Sequence, residues 1–179
     1  MRLALISGST RRDSTNTAAL LAVRDLMAEG TAAFYEGLSD LPAFNPDDDR
    51  DPLPDAVAEL RQLIADSDAL LFCTPEYAGT LPGSFKNLLD WTVGGSEIGA
   101  KPVAWINVAA AGRGDGATST LAAVLNYVDA AVIDSACQRI SIGRADVDHD
   151  DHIEDADIRA RLADVVAELE ASLGVPFSA

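Results

Sequence analysis

Short apolar runs alternate five times with amphipathic stretches along this chain, and that rhythm restricts the fold more than any other feature. The first run, Arg2 to Ser7, is apolar at consecutive positions, "LALI". A strand apolar on both faces belongs in the middle of a parallel sheet that is covered on both sides. Further strands are expected at Thr31 to Tyr35, at Ala69 to Cys73 ("ALLFC"), at Pro102 to Val108 ("PVAWINV") and within Ala131 to Ile142. Helical spacing falls between them. It runs from about Thr17 to Met27, with Leu20, Val23 and Met27 on one side, and from Asp55 to Ser67, with Val57, Leu60, Leu63 and Ile64. Pro54 suits the first turn of the latter. Ser84 to Trp91 is a third helix, and Leu121, Val124, Leu125 and Val128 mark a fourth. Ile158, Leu162, Val165, Val166 and Leu169 stripe a last one. Strands alternating with helices argue for one parallel sheet with helices on both faces. A chain of 179 residues suits a single domain over 1–179.

Ligands of such sheets bind beyond the carboxyl ends of the strands, where the strand order reverses. Three loops that leave carboxyl ends are unusual: 8–16, 74–83 and 109–119. In a flavodoxin-like order, 2-1-3-4-5, the first, third and fourth strands are neighbours. The three loops would then meet at one place.

The first of them, "GSTRRDSTN" (Gly8 to Asn16), carries hydroxyls at Ser9, Thr10, Ser14 and Thr15 and runs into a helix start. A phosphate needs short donors and partial positive charge, and a helix N-terminus supplies both. Arg11 adds a charge-assisted contact. The alternative is an ordinary capped turn, with Ser14 or Asn16 as N-cap. Neither G-x-x-x-x-G-K-[ST] nor G-x-G-x-x-G is present here, which argues against a P-loop or a Rossmann dinucleotide site. In the third loop Gly112, Gly114 and Gly116 allow close backbone approach to a flat ligand. The second, Thr74 to Trp91, is the most distinctive stretch: Pro75 and Tyr77 suit a planar ring, and Ala78 and Gly79 its edge.

The formal net charge of -16 argues against nucleic acid and anionic membrane as partners. No run approaches the roughly 20 apolar residues of a membrane helix. No signal-peptide centre opens the chain. Cys73 and Cys137 are expected to be buried free thiols. These features point to a soluble cytoplasmic protein. Asp146 to Asp157 ("DVDHDDHIEDAD") approaches calcium-loop spacing, but Asp151 stands where the turn needs Gly and Asp157 where a bidentate Glu is needed. It reads as a solvated acidic loop that caps the last helix through Asp155 and Asp157. No metal site is expected.

The pairing of "GSTRRDSTN" with "PEYAGTLPGSFKNLLDW" resembles the NADPH-dependent FMN reductase family, flavodoxin-like reductases of quinones, azo dyes, chromate or flavins. The family pattern runs G-S-x-R-x-x-S-x-N, then P-E-Y-N-G-x-x-P-G-x-x-K-N-x-x-D-W. The likeness extends over roughly residues 2 to 130. It implies an α/β three-layer sandwich that binds FMN, with NADPH or NADH as co-substrate. By position, Ser9, Arg11, Ser14, Thr15 and Asn16 would hold the FMN phosphate. Pro75, Glu76, Tyr77, Ala78 and Gly79 would line the isoalloxazine, and Ala110 to Gly112 would border its pyrimidine side. Ala78 replaces the family's Asn, and Ala110 a common Ser.

The chemistry implied is hydride transfer to the flavin and delivery of electrons to a small acceptor, with ping-pong kinetics and no catalytic side chain. A homodimer or homotetramer is implied, with Lys86, Asp90 and Trp91 as contact candidates. Two alternatives stay open: a flavodoxin-like electron carrier without NAD(P)H activity, and a reductase that uses FMN as a diffusible substrate.

Overall fold

Leu3–Ser7 forms β1 with all five residues buried, and Ala69–Cys73 forms β3 with the same pattern. The two pair in parallel, Leu5 opposite Leu71. In the computed structural model, residues 1–174 are described. The last five residues of the domain expected over 1–179 lie outside them.

The remaining elements are α1 (Thr15–Leu26), β2 (Ala32–Tyr35), α2 (Asp55–Asp66), α3 (Gly83–Asp90), β4 (Pro102–Asn107), α4 (Asp115–Tyr127), β5 (Ala131–Val132), β6 (Gln138–Arg139) and α5 (Ala156–Ser172). The sheet order is β2-β1-β3-β4-β5, parallel throughout, with β6 also on β4. This is the flavodoxin-like arrangement.

Side-chain alternation sorts the core into two layers. Ala4, Ile6, Leu70, Phe72 and Val103 pack against α2, α3 and α4 through Leu60, Ile64, Phe85, Leu88 and Leu121. Leu3, Leu5, Leu71, Ala104 and Ile106 pack on the other face against α1 and α5 through Leu20, Val23, Leu162 and Val165. Each Val, Leu, Ile or Phe among them fully withdrawn from water contributes about 1.5–3 kcal/mol. The double-sided burial of the central strands therefore dominates the choice of fold.

Most boundaries fall within one residue of the sequence expectation, and two features depart further. Helix α1 starts at Thr15 rather than Thr17, which brings its first turn into the loop 8–16. The fifth strand is not continuous. From Val103 to Ile106 β4 advances three residues, while its neighbour needs six, Val132 to Gln138. The excess leaves the ladder as a 3-10 turn at Asp134–Ala136. Asp134 and Ser135 interrupt an apolar run there, and polar groups find water more readily outside a sheet interior.

The long loop 36–54 is fastened to α3 and α2. The Trp91 indole N–H donates to the Pro42 carbonyl at 2.8 Å, and the Asn87 amide donates to the same oxygen at 2.9 Å. The ring of Phe44 meets Trp91 edge-on at 5.0 Å between centroids. Trp91 is fully buried inside the chain, which removes it from the surface contact expected of it. Lys86 and Asp90 remain partly exposed and pair with each other.

Asp155 caps α5 by accepting the Ile158 N–H at 2.9 Å. Asp148 accepts N–H groups of Asp150 and His152, both at 2.8 Å, and these bonds, chiefly that from His152, hold its carboxyl below the usual range. Cys73 is buried, and burial alone pushes its thiol well above the ordinary range. Cys137 is only half-buried, and its thiol is raised to about 11, chiefly by desolvation. No helix among the described residues is long and apolar enough to cross a membrane.

Candidate active site

The carboxyl ends of β1, β3 and β4 surround a cleft of about 460 Å³ at the point where the strand order reverses. Thr15 and Asn16 reach it from α1; Thr74, Pro75 and Glu76 from the loop after β3; Ala109, Ala110 and Arg113 from the loop after β4. A larger open hollow, about 770 Å³, lies at the opposite ends of the strands between Ala65–Asp68 and Ser96–Pro102. The chemistry favours the smaller cleft, because there three irregular loops converge at a helix N-terminus.

The loop 8–16 is shaped by its own hydroxyls. The Ser9 N–H donates to the Ser7 hydroxyl at 3.3 Å, and the Arg11 N–H donates to the Ser9 hydroxyl at 3.2 Å. Asp13 holds a positive φ of 40°, and Arg144 fixes it by donating to its carbonyl at 2.8 Å. Ser14 is the buried N-cap residue, yet its hydroxyl makes no capping bond. The first backbone bond into α1 is from Ala18 to Ser14, so the N–H groups of Thr15, Asn16 and Thr17 are left for another acceptor. Asn16 is buried, and its side-chain oxygen accepts the Cys73 thiol at 3.4 Å.

The loop after β3 is a tight hairpin. Tyr77 and Thr80 exchange both backbone bonds, at 3.0 and 3.1 Å. Ala78 and Gly79 between them have φ of 51° and 77°, as a type I′ turn requires. Asn is favoured in that conformation, which accounts for the Asn of the family pattern where this chain has Ala78. Tyr77 is exposed on the rim. The Glu76 carboxylate turns toward α4 and accepts the N–H groups of Gly116 and Ala117 at 2.7 and 3.1 Å. At Gly116 an added Cβ would lie 2.0 Å from the Gly79 carbonyl oxygen, so only glycine lets α4 approach the hairpin this closely.

The loop after β4 is organised by Asn107, a buried residue to which the sequence reading gave no role. Its side-chain oxygen accepts the Ala109 N–H at 3.0 Å, and its amide donates to the Gly114 carbonyl at 3.1 Å. Gly112 and Gly114 both have positive φ and bracket Arg113.

The expected site residues are thus divided. Thr15, Asn16, Pro75, Glu76 and Ala110 line the main cleft. Ser9 and Arg11 line a shallower hollow on the other side of the same loop, with Arg12, Tyr35 and Ser39. Ser14 lies buried beneath the loop, while Tyr77, Ala78, Gly79 and Gly112 form exposed rims. Thr74, Val108, Ala109 and Ile142, to which the sequence gave no role, line the cleft as well, as do Gly114 and Arg113, the latter one of the few basic residues that the sequence offers for a nucleotide 2′-phosphate. Thr74 could have been named, as it opens the distinctive stretch. Ile142 could not, because it arrives from the interrupted fifth strand through its N–H to the Val108 carbonyl at 3.0 Å.

This donor set fits a flavin mononucleotide. The free first-turn N–H groups, with Thr15 and Asn16, suit a phosphate dianion; Arg11 lies on the same loop but lines the neighbouring hollow. Thr74, Pro75, Ala109 and Ala110, all compact side chains, line the cleft together, which suits the approach of a flat ring.

Comparison with known proteins agrees. A family model described as NADPH-dependent FMN reductase matches residues 1–142. A 2-hydroxy-1,4-benzoquinone reductase of Burkholderia sp is 32% identical over 166 residues, covering 90% of each chain. An NADPH azoreductase of Bacillus sp. (strain OY1-2) is 31% identical over 182 residues, covering 98% of this chain and 94% of its own. Among solved structures, the flavoenzyme NAD(P)H:(acceptor) oxidoreductase FerB of Paracoccus denitrificans superposes with a TM-score of 0.77 at 29% identity, covering 95% of this chain and 97% of its own. The chain belongs to the NADPH-dependent FMN reductase family, and is an oxidoreductase with FMN as cofactor and NAD(P)H as co-substrate.

Proposed function

We propose that the protein is an NAD(P)H:quinone oxidoreductase whose FMN occupies the cleft between the three loops. The observation that carries this reading is the meeting of free α1 N–H groups, the Thr74–Glu76 wall and the small-residue loop at Ala109–Ala110 in one cleft. Ser9, Arg11, Ser14, Thr15 and Asn16 hold the phosphate, Pro75 to Gly79 carry the ring, and Ala110 to Gly112 border its pyrimidine edge. When bound, FMN supplies the two-electron chemistry. The overall reaction balances as NAD(P)H, one proton and a quinone giving NAD(P)⁺ and a hydroquinone. The chain's own work is to position the ring and leave one face open to donor and acceptor in turn. It also keeps the dianion satisfied within a protein of net charge -16.

The curated relatives named for quinone and azo substrates support a small aromatic acceptor, of which a quinone fits the reading. Free thiols at Cys73 and Cys137 and the acidic surface support a cytoplasmic setting. Assembly as a homodimer or homotetramer belongs to this reading, with the partly exposed Lys86 and Asp90 as its contact candidates.

The test is spectroscopic. Purified protein should show a flavin spectrum, bleach on NADPH and regain its colour when a quinone is added. Arg11→Ala should weaken FMN binding by about 10-fold or more, the scale of one charge-assisted contact. A protein that neither binds FMN nor oxidises NADPH with a quinone overturns the reading.

A further inference from the structure

Both ends of the loop 8–16 meet one residue, Cys73, the last of β3. The Gly8 N–H donates to the Cys73 carbonyl at 2.8 Å. At the other end the Cys73 thiol donates to the side-chain oxygen of Asn16 at 3.4 Å. Water does not compete for the second contact, since Cys73 is 0% and Asn16 only 7% exposed. The Asn16 oxygen is therefore engaged from behind. Its amide nitrogen has no partner among the described residues, although nine-tenths of the residue is buried. That nitrogen is not sealed off. Asn16 lines the cleft beside Thr15, in the turn of α1 whose backbone N–H groups are free. A buried amide ordinarily finds partners for both its ends. Here one end is satisfied within the chain, and the other is a donor turned to the cleft.

A side-chain amide has two orientations related by a half-turn, and they present opposite polarity to the cleft. With its oxygen on the thiol, Asn16 offers its amide N–H groups to a ligand, which suits an anion. Turned over, the amide would bury those N–H groups against sulfur, a weak acceptor, and set a carbonyl oxygen against the anion. The thiol selects between the two only while it is a donor. Burial pushes its ionisation well above the ordinary range, so the S–H keeps its proton. We infer that Cys73 is a positioning residue for the cofactor phosphate: it acts through Asn16, fixing the amide so that its N–H donates to a phosphate oxygen. This rests on the FMN reading of the cleft and deepens it. The cysteine contributes a hydrogen bond here, and no thiol chemistry is involved. β3 thereby sets the loop twice, in place through Gly8 and in polarity through Asn16.

The experiment uses the full chain with any bound flavin dialysed away. Its two probes, FMN and riboflavin, share the ring and the ribityl chain, and only FMN carries the phosphate. Fluorescence titration gives a Kd for each, and a general loosening of the cleft cancels in their ratio. In Cys73→Ala the Kd for FMN should rise about 3- to 10-fold, the scale of one hydrogen bond, while that for riboflavin should change by less than about 2-fold. Cys73→Ser, which keeps a donor on a shorter arm, should recover part of the FMN loss. In an Asn16→Ala background the Cys73→Ala substitution should leave the ratio unchanged, because the amide it orients is gone. Equal losses for both flavins would make Cys73 a packing residue and overturn the inference. So would an undiminished effect of Cys73→Ala in the Asn16→Ala background. Inorganic phosphate, titrated into the same proteins by phosphorus NMR, separates this inference from the wider reading. A wild type that binds phosphate but no flavin overturns the reductase reading, and the same mutant cycle read with phosphate still decides the role of Cys73. A wild type that binds neither flavin nor phosphate overturns both.

Discussion

Glu76 and Gly116, forty residues apart in sequence, are joined by a 2.7 Å bond from the Gly116 N–H to the Glu76 carboxylate. The bond ties the loop after β3 to the first turn of α4 and holds two walls of the cleft at a fixed spacing. A second N–H, from Ala117, goes to the same oxygen at 3.1 Å. Replacing Glu76 with Ala leaves both N–H groups unpaired at a helix start, at a cost of about 1–2 kcal/mol. Glu76→Gln keeps a carbonyl acceptor and should lose about half as much. Urea unfolding reports the stability loss, and FMN titration of the same variants should show weaker binding in Ala than in Gln.

Ala78 carries a positive φ of 51° that its Cβ disfavours. The left-handed region costs an ordinary residue roughly 1–2 kcal/mol, which glycine avoids and asparagine partly avoids. Ala78→Gly and Ala78→Asn should each raise stability by about 0.5–1 kcal/mol, while Ala78→Val should lower it by more than that. The measurement is the urea midpoint at constant m-value. A lower midpoint in Ala78→Asn would show that the turn is set by contacts other than its own backbone preference.

Much of this architecture is written locally. "LALI" and "ALLFC" are apolar at successive positions because both faces of β1 and β3 are covered, and a run of that kind needs no knowledge of its partners. The loop "GSTRRDSTN" is legible for the same reason, since its hydroxyls bond within the loop itself. What is not legible depends on distant meetings. Glu76 stands in the motif "PEY" beside ring-lining candidates, but its carboxylate caps a helix that starts at Asp115. Trp91 looks like a surface contact on an exposed helix until the loop 36–54 folds over it. The break at Asp134–Ala136 follows from a length mismatch with β4, which no window of sequence contains.

Arg61 is the fastening that holds the long loop over Trp91. Its guanidinium pairs with Asp49 at 2.7 Å and donates twice to the Trp91 carbonyl, at 2.8 and 3.0 Å. The two side chains are only 10% and 9% exposed. Arg61→Met strands a nearly buried carboxylate and should cost about 3–5 kcal/mol. Adding Asp49→Ala should recover part of that loss, giving a favourable coupling energy of at least about 1 kcal/mol in a double-mutant cycle. Additive losses would mean that the guanidinium is held by the Trp91 carbonyl alone.

Tyr35 closes β2 with its hydroxyl buried and without a hydrogen-bond partner among the described residues. Desolvation, with smaller contributions from Asp40 and Glu59, pushes its phenol from 10.0 to about 12. The folded state therefore keeps a proton that the unfolded chain has released, and stability must fall as pH rises through that interval. Its contribution is complete below pH 10.0 and lost by about pH 12. Absorbance near 295 nm should show one tyrosine that ionises only around pH 12 or on unfolding. Tyr35→Phe removes both the titration and the unpaired hydroxyl. It should gain about 1 kcal/mol at neutral pH and flatten the alkaline decline. A Phe variant that is less stable at neutral pH would mean that the hydroxyl has a bound water as partner, and the alkaline decline would then belong to other groups.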